Sequence, residues 1–270
     1  MGIHAPIGVF DCGVGGLTVA REIMRQIPQE RIVYFGDTAR VPYGSKSGNT
    51  IIRYSCQDAR FLKTRGVKAI VVACNTASAY ALEALQQEMD IPVIGVVRPG
   101  ARVAAREGVG GNIGVISTAA TAESHIYRQY IQSLRPEAKV FEKACPLFVP
   151  LVEEGWRKDP VTRTVAERYL QEMKDRKVDT LILGCTHYPL LTDVIGDVMG
   201  PGVELVSAGE ESAFELKRML KARELRADER RRGETEFYVS DRVEDFERTA
   251  SLFLQEDLRH TARRIDIERY

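Results

Sequence analysis

Val71-Val72-Ala73-Cys74-Asn75-Thr76 and Ile182-Leu183-Gly184-Cys185-Thr186-His187 are two stretches of this chain that share one plan. Each is an apolar run that ends in a small residue, a cysteine and hydrogen-bonding residues. An apolar run that stops just before a helix places its last residues at the carboxyl end of a parallel strand, where open α/β sheets bind ligands. Because the stretches lie about half the chain apart, we predict one site with a thiol from each half.

Along the rest of the chain, short strand-like runs alternate with amphipathic, helix-like segments. Such alternation indicates an α/β fold with mainly parallel sheets and helices on their faces. The predicted strands are 7–10, 32–35, 69–73, 93–96, 113–116, 139–142, 180–183, 204–206 and 236–239. The predicted helices include 18–25, 57–63, 77–89, 166–174 and 245–254.

A weak internal duplication relates the two halves. Ile7-Gly8-Val9 and Ile113-Gly114-Val115 each begin a strand, and a cysteine stretch follows each at a similar distance. We therefore predict two similar α/β domains with the active site in the cleft between them. The tail after about Ser207 has no counterpart, so we expect it to return to the first half. The first domain would comprise 1–97 and 207–270, and the second 98–206.

The composition of the chain argues against several classes of protein. The 38 basic and 38 acidic side chains balance, so no nucleic-acid surface is expected. No apolar stretch approaches the roughly 18 residues that span a bilayer, and the N-terminus lacks a signal-peptide pattern, so we expect a cytoplasmic protein without membrane contact. Five scattered cysteines without a Cys-x-x-Cys pair argue against a disulfide framework and a zinc site.

The run from Asp11 to Thr18 is a glycine-rich turn after the first predicted strand. Such turns offer backbone N–H groups to an anion, although a tight turn alone explains the glycines equally well. The run fits neither the dinucleotide fingerprint nor a P-loop, which leaves a nucleotide site weakly supported. Asp11 itself ends a strand, so its carboxylate is expected to point into the ligand crevice.

Both strand-end cysteines precede a predicted helix. Cys74 is followed by Asn75 and Thr76, which we predict to be N-caps, and a helix N-terminus favours the thiolate of a neighbouring cysteine. Cys185 comes shortly before Pro189, which suits a first helical turn. Either cysteine alone is typical of a small buried hydrophobe. As a pair in matching contexts, they favour catalysis.

Two further groups of polar residues are candidates for the site. His187, two residues after Cys185, is placed to orient that thiol or relay a proton to it. Glu153 and Glu154 have the ordinary interpretation of a solvated helix start.

The second half also offers a pair of hydroxyls. Thr118 and Thr121, three residues apart after a strand, suit either a carboxylate or a helix cap. Pro42-Tyr43-Gly44 is typical of a turn that lays backbone over a small ligand, and Cys56 and Cys145 are assigned to packing.

Four motifs in fixed order resemble those of the glutamate racemases, in the aspartate/glutamate racemase superfamily. They are Asp11-Cys12-Gly13-Val14-Gly15-Gly16-Leu17-Thr18-Val19, Pro42-Tyr43-Gly44, Ala73-Cys74-Asn75-Thr76-Ala77 and Gly184-Cys185-Thr186-His187-Tyr188-Pro189. The resemblance extends from residue 7 to about residue 214. It implies a cofactor-independent enzyme that interconverts L- and D-glutamate for peptidoglycan, commonly a homodimer with its site between two α/β domains.

The resemblance also assigns roles to residues. It implies that Cys74 and Cys185 are the proton acceptor and donor on opposite faces of the α-carbon, assisted by Asp11, Glu153 and His187. It implies contacts with glutamate from Asp11, Cys12, Tyr43, Gly44, Asn75, Thr76, Thr118, Thr121, Thr186 and His187.

Two departures and several alternatives accompany this resemblance. The family usually has serine where this chain has Cys12, a larger and weaker hydrogen-bonding group, and Arg98 stands where another residue is expected. Aspartate and hydantoin racemases share the superfamily. A one-cysteine decarboxylase is disfavoured because both cysteines are present. The alternative outside enzymes is a non-catalytic, two-lobed small-molecule binding protein.

Overall fold

The computed structural model describes residues 2–106, 110–228, 230, 232–254 and 261–270. Its strands form two sheets in which every pairing is parallel, which confirms the predicted α/β class. The strands are β1 (Ile7–Asp11), β2 (Ile32–Gly36), β3 (Ala69–Val72), β4 (Val93–Gly95), β5 (Asn112–Ser117), β6 (Lys139–Ala144), β7 (Thr180–Gly184), β8 (Glu204–Ser207), β9 (Thr235–Val239) and β10 (Ala262–Arg264).

Helices cover the faces of both sheets, so β1, β2, β3 and β7 are buried along their whole length. Among the described residues, no helix is both long and apolar enough to cross a membrane. The helices are α1 (Leu17–Gln26), α2 (Gly48–Thr64), α3 (Asn75–Tyr80), α4 (Leu82–Glu88), α5 (Val97–Ala104), α6 (Ala119–Ser124), α7 (Ile126–Leu134), α8 (Phe148–Glu153), α9 (Pro160–Asp175), α10 (Thr192–Met199), α11 (Ala208–Ala222) and α12 (Val243–Leu254), with short 3₁₀ turns at Tyr43–Ser45, Tyr188–Leu191 and Ile267–Arg269.

The two sheets share one strand order around a central strand. β1 lies between β2 and β3, with β4 beyond β3, and β5 lies between β6 and β7, with β8 beyond β7. This correspondence pairs β3 with β7, the strands that precede Cys74 and Cys185. The internal duplication predicted from the sequence is therefore present in the topology. Because strand order reverses beside β1 and β5, their carboxyl ends form the crevices in which such sheets bind ligands.

The predicted helix 77–89 is wrong as a single element. The structure has α3 and α4 instead, separated at Ala81, whose backbone N–H still bonds to the carbonyl of Ala77. The N-cap of α3 is Cys74 itself, so Asn75 and Thr76 are helical residues and not the predicted caps. Helix α2 is much longer than the predicted 57–63, and its buried residues begin at Ile51, in the first turn, and extend to Leu62.

The chain after β8 returns to the first sheet. β9 pairs with β2 from Ile32↔Thr235 to Gly36↔Val239, and β10 extends the sheet beside β9. Helix α11, between β8 and β9, packs against both α1 and α5. Because α11 contacts both halves, the domain limits given above stay a prediction.

Candidate active site

Asp11 closes β1 at the crevice between β1 and β3. It is fully buried, its Oδ2 accepts a hydrogen bond from the Gly13 N–H at 3.0 Å, and its Oδ1 has no hydrogen-bond partner among the described residues. Burial raises the pKa of Asp11 above its ordinary value, while the charge of His187 and the loop N–H groups pull it down. A buried, half-satisfied carboxylate of this kind is ready to accept a ligand's N–H group.

Cys74 lies next to Asp11, at the end of β3. Only 4% of Cys74 is exposed, and the Ala77 N–H donates to its Sγ at 3.5 Å. An N–H group aimed at sulfur stabilises negative charge on it. The Sγ of Cys74, the Sγ of Cys12 and a carboxylate oxygen of Asp11 all lie within 4.8 Å of one another. This side of the site therefore gathers two thiols and a carboxyl group.

The neighbours of Cys12 raise its proton affinity. Its hydrogen bond with Cys74, its burial and the charge of Asp11 raise its pKa well above the ordinary thiol value. Cys12 is therefore held as a neutral thiol at neutral pH. In that form it is a weak hydrogen-bond donor in the position where the family usually has a serine hydroxyl.

Cys185 follows β7 and has a different neighbour. It is 5% exposed, and its Sγ lies 3.9 Å from Nδ1 of His187, whose Nε2 contacts Glu153 Oε1 at 2.9 Å. Burial lowers the pKa of His187, but its contacts with Cys185 and Glu153 outweigh burial and raise it to about 10. With a thiol on one side of its ring and a carboxylate on the other, His187 is a cation at neutral pH. Glu153 is exposed, as expected, but it is the last residue of α8 and not the predicted helix start.

Three threonine hydroxyls form a cluster between the halves. The Oγ1 of Thr76 lies 3.0 Å from that of Thr118 and 3.1 Å from that of Thr121, and the latter two lie 3.0 Å apart. Thr118 is also the N-cap of α6, and its Oγ1 accepts from the Thr121 N–H, which confirms the helix-cap interpretation. Each hydroxyl has one hydrogen and two lone pairs, which lets the cluster reorganise around a carboxylate.

Further contacts bring the strand ends of the two sheets face to face. Thr18 Oγ1 donates to the carbonyl of Thr186 at 3.0 Å, and Tyr127 OH donates to Asn75 Oδ1 at 2.6 Å. A Cβ placed on Gly15 would overlap Thr186 Oγ1 and approach the His187 ring to 2.5 Å, so only glycine fits here. The structure thus brings Cys74 and Cys185, with their neighbours, to the same interface.

The loop around Tyr43 and Gly44 lies against this interface. It begins with a cis peptide at Val41–Pro42, and a Cβ on Gly44 would lie 2.7 Å from Thr118 Cβ. The Tyr43 side chain points away, into the first half, where its OH lies 2.5 Å from Asp37 Oδ2 and 3.0 Å from Asp58 Oδ2. Only the backbone of Tyr43–Gly44 therefore faces the threonine cluster.

Three charged residues that hold this loop were missed by the sequence analysis. Arg40 donates to Asp37 at 2.7 Å and to Asp58 at 3.0 Å, and all three side chains are buried or nearly so. Ser240, at the end of β9, donates to the other oxygen of Asp37. Asp37 comes directly after β2, and Asp11 is the last residue of β1; this repeated carboxylate at a strand end is the signal that would have revealed Asp37.

Both catalytic candidates are covered by protein, yet neither sulfur is surrounded by hydrocarbon alone, since each has the polar neighbours given above. A surface pocket of about 180 Å³ opens between Gly13, Val41 and Glu153 on one side and Asp241 and Phe246 on the other. Its lining includes Gly13, from the turn after Asp11, and Glu153, the partner of His187, but neither thiol.

The other two cysteines lie elsewhere. Burial and a hydrogen bond with Glu88 raise the pKa of Cys56 to about 11, and burial raises that of Cys145 further. Arg98, the second departure from the family pattern, lies in α5, where its guanidinium donates to Tyr130 OH and stacks on that ring at 4.8 Å. None of these three side chains shares a hydrogen bond with Cys74 or Cys185 in the described part of the chain.

The chain is similar to known proteins in both sequence and structure. Residues 15–213 match the family described as Asp/Glu/Hydantoin racemase. A glutamate racemase of Geobacter metallireducens is 51% identical over 92% of each chain. The crystal structure of a glutamate racemase isoform of Bacillus anthracis superposes with a TM-score of 0.93 at 40% identity, covering 97% of this chain and 98% of that one. A Francisella tularensis glutamate racemase solved in complex with D-glutamate gives a TM-score of 0.92 at 37% identity, covering 99% and 100%.

Proposed function

This chain belongs to the Asp/Glu/hydantoin racemase family, and we propose that it interconverts L-glutamate and D-glutamate by proton transfer at the α-carbon. It is thus an isomerase, an amino-acid racemase acting on a small-molecule substrate. Its D-glutamate supplies peptidoglycan synthesis. The curated relatives share 45–51% identity with it over nearly the whole chain and carry the name glutamate racemase.

One observation carries the mechanism that we propose. Two buried thiols end equivalent strands of two sheets, and each has its own ionisable neighbour: Asp11 beside Cys74, and His187 beside Cys185. A racemase must remove a proton from one face of the α-carbon and return another to the opposite face. Two thiols delivered by opposing strand ends provide one group for each face.

The chemistry requires an activated base, because the α-proton of an amino acid is only weakly acidic. We propose that the reaction uses no cofactor. One sulfur starts as thiolate and takes the α-proton, while the other starts as thiol and protonates the carbanion from the far side. The two sulfurs exchange roles when the substrate has the other handedness. Each step moves one proton, and the pair of thiols ends with its protonation reversed.

The neighbouring groups would hold charge and substrate. We propose that Asp11 accepts the substrate ammonium group and supports Cys74, and that the His187 cation, oriented by Glu153, supports Cys185. Hydroxyl and N–H groups would hold the two carboxylates and stabilise the charge that develops on the α-carboxylate. They come from Cys12, Tyr43, Gly44, Asn75, Thr76, Thr118, Thr121 and Thr186.

Aspartate is the competing substrate inside the family. Its side chain is one methylene shorter, a difference that a pocket discriminates by only about 1–3 kcal/mol. A hydantoin substrate would lack the free ammonium group for which Asp11 is suited. A two-lobed binding protein would have no use for paired thiols. Glutamate is therefore the substrate that we propose.

Optical rotation tests the proposal. L-Glutamate and L-aspartate are incubated separately with the protein under reducing conditions, and the rotation is followed to completion. We expect the glutamate signal to decay to zero as the racemate forms, and the aspartate signal to decay at least about tenfold more slowly. A constant glutamate signal, or faster loss of the aspartate signal, would contradict the assignment.

We further propose that the enzyme is a homodimer in the cytoplasm. The proposed product is a precursor consumed by cell-wall synthesis, which begins inside the cell. Light scattering coupled to gel filtration measures the mass directly, and twice the chain mass of 30.2 kDa is the expected value. A mass equal to one chain at micromolar concentration would refute the dimer.

A further inference from the structure

The cluster of Asp11, Cys12 and Cys74 has a composition that proton transfer alone does not require. It combines a carboxylate with two thiols, and it is the one group of potential metal ligands that the described residues bring together. Cys12 and Cys74 are far apart in sequence, so no ligand spacing reveals the cluster. The pairing of β1 with β3 brings these residues together, which the absence of a Cys-x-x-Cys pair does not exclude.

We propose that Asp11, Cys12 and Cys74 bind a thiophilic divalent cation, represented by Zn²⁺, in a three-ligand site with its fourth position open. Two thiolates and one carboxylate oxygen are a donor set that zinc accepts, and three protein ligands plus a solvent molecule complete its tetrahedral shell.

The distances support this assignment. Zinc binds sulfur at about 2.3 Å and carboxylate oxygen at about 2.1 Å, so donors on one tetrahedral ion lie about 3.6–3.8 Å apart. Cys12 Sγ lies 4.0 Å from Asp11 Oδ2, and no pair of the three donor atoms exceeds 4.8 Å. Each donor therefore needs to move by about half an ångström, which is within the reach of a small side-chain rotation.

The immediate surroundings also favour a cation. The three side chains are buried or half-buried, and Asp11 Oδ1 has no hydrogen-bond partner among the described residues. The hydrogen bonds to the cluster come from the backbone of Gly13 and Ala77, and no lysine or arginine donates to it in the described part of the chain. The charge of His187 acts on Asp11 from the second half, and a metal ion would bind against that charge. A divalent ion would satisfy the free oxygen and balance two thiolates at once.

Metal binding has a consequence that rests on the proposed function. A zinc ion bound to Cys74 Sγ would neutralise the charge on this sulfur and block its approach to the substrate, so the sulfur would be a much weaker base toward the α-proton. Zinc binding would therefore inhibit racemisation. Among the three ligands, Cys12 is the residue that we expect to give the site its high affinity for the metal. A serine hydroxyl in its place is a poor zinc ligand at neutral pH, whereas a cysteine thiol becomes a thiolate on the metal.

Cobalt titration tests the site without relying on activity. The reduced, metal-free protein is titrated with Co²⁺ in the absence of glutamate, and thiolate-to-cobalt charge-transfer absorption is recorded, followed by displacement with Zn²⁺. We expect one equivalent to bind with this absorption and zinc to abolish it. Cys12→Ser should weaken cobalt binding more than about 100-fold, since even the loss of a supporting group costs 10–100-fold.

Cys185→Ser is the matched control, because Cys185 is an equally buried thiol at the same interface but lies outside the cluster. It should bind cobalt as the wild type does. If Cys12→Ser fails to give the wild-type circular dichroism spectrum, Cys74→Ser provides the same test and should show the same loss. Absence of the thiolate band in wild type, equal affinity in the cluster variants, or loss of binding in Cys185→Ser would overturn the site.

The inhibition is measured separately, as the zinc dependence of the racemisation rate relative to each variant's own zinc-free rate. Wild type should lose activity over the zinc range in which cobalt is displaced, and Cys12→Ser should need more than about 100-fold more zinc. Zinc binding without inhibition would refute the role of Cys74 while the metal site stands. A protein inactive on glutamate would refute the proposed function, and the cobalt titration would still decide the site.

Discussion

At the scale of single residues, Cys74 and Cys185 differ in the group beside each sulfur. Cys74 has a backbone N–H, a carboxyl group and a second thiol, whereas Cys185 has a histidine held by Glu153. Two sulfurs with unlike neighbours are expected to contribute unequally in the two directions of the reaction. Their shared property is that each is withdrawn from bulk water yet keeps a polar partner.

Serine substitution tests whether both sulfurs transfer protons. We predict that Cys74→Ser and Cys185→Ser each lower kcat for glutamate racemisation by about 10³-fold or more, because a serine hydroxyl is a far weaker base and acid than a thiol near neutral pH. Chiral chromatography of the product measures the rate, and circular dichroism verifies the fold. Cys56→Ser, which removes a thiol away from the site, should retain activity. Substantial activity in either site variant would refute the two-thiol account.

The pairing of His187 with Glu153 predicts a pH-dependent stability. The folded state holds His187 with a pKa of about 10, above its unfolded value of about 6.5, so this group stabilises the fold fully below pH 6.5 and loses its contribution as the pH rises toward 10. We predict that Glu153→Gln lowers the free energy of unfolding by about 1 kcal/mol at pH 6 and by progressively less toward pH 10.

Urea denaturation across this pH range measures the difference between the two proteins. Glu154→Gln, which alters the exposed neighbour, should leave the free energy of unfolding unchanged at every pH. A Glu153→Gln effect of the same size at pH 6 and pH 10 would show that the carboxylate does not stabilise a histidine cation.

At the scale of elements, buried charges hold the loop at Tyr43–Gly44. Tyr43 OH has one hydrogen but touches carboxylate oxygens of both Asp37 and Asp58. The shorter contact goes to Asp37, and one hydrogen cannot serve both contacts, so we infer that Asp58 carries a proton and donates in the other one. The pKa of Asp58 agrees, since burial and the charge of Asp37 raise it well above its ordinary value.

Two isosteric substitutions separate these carboxyl groups. Asp58→Asn keeps a donor toward Tyr43 and an acceptor toward Arg40, so we predict a change in unfolding free energy below about 1 kcal/mol. Asp37→Asn leaves Arg40 without its buried ionised partner, with only the exposed Glu268 at 3.4 Å remaining, and should cost about 3 kcal/mol or more, with a raised KM for glutamate as the loop loosens. Urea denaturation and initial rates measure both quantities. Equal costs for the two variants would contradict the protonation assigned to Asp58.

The sequence predicted a strand or helix correctly where the residues of that element alone determine its hydrophobic pattern. Nine strands were predicted because buried parallel strands are continuous apolar runs, and the cysteine stretches fixed the two that matter most. β10 was missed because Ala262–Arg264 is short and basic, and it forms only where β9 offers an edge. α5 was missed because Pro99 and Gly100 disfavour a helix, and burial against α7 and α11 overrides that preference.

Side-chain clusters were harder to predict than elements. Asp58 has the spacing of a solvated residue on an amphipathic helix, and only the fold brings it to Arg40. The Asp11, Cys12 and Cys74 cluster likewise depends on β1 and β3 being neighbours. Cysteine is an uncommon N-cap, so the polar residues after Cys74 were predicted to cap α3 in its place.

At the scale of the whole molecule, function depends on two sheets that present their carboxyl ends to each other. Gly15 lies so close to Thr186 and His187 that a Cβ there would overlap both side chains. The Gly15 backbone has no positive φ. An alanine at this position would therefore collide with its neighbours without straining the backbone. The spacing between the halves is thus set by the absence of one side chain.

Gly15→Ala tests that spacing. A methyl group at this position would push Thr186 and His187 away, and a displacement near 1 Å between reacting groups costs about 10²-fold in rate. We predict that kcat falls by about 10²-fold. Gly196→Ala, where the nearest atom to the added methyl lies at an ordinary 3.7 Å, is the control and should keep full activity. Wild-type kcat in Gly15→Ala would mean that the approach of the two halves does not position the reacting groups.

The isotope pattern at the α-carbon tests the central claim most directly. L-Glutamate is racemised in deuterium oxide, and both enantiomers are separated and analysed by mass spectrometry before equilibrium. Transfer between two sulfurs predicts deuterium in the D-glutamate formed and protium in the L-glutamate that remains, because the removed proton stays on one sulfur while the other delivers hydrogen exchanged with solvent. D-Glutamate that retains the original proton, or deuterium in both enantiomers from the first turnovers, would contradict it.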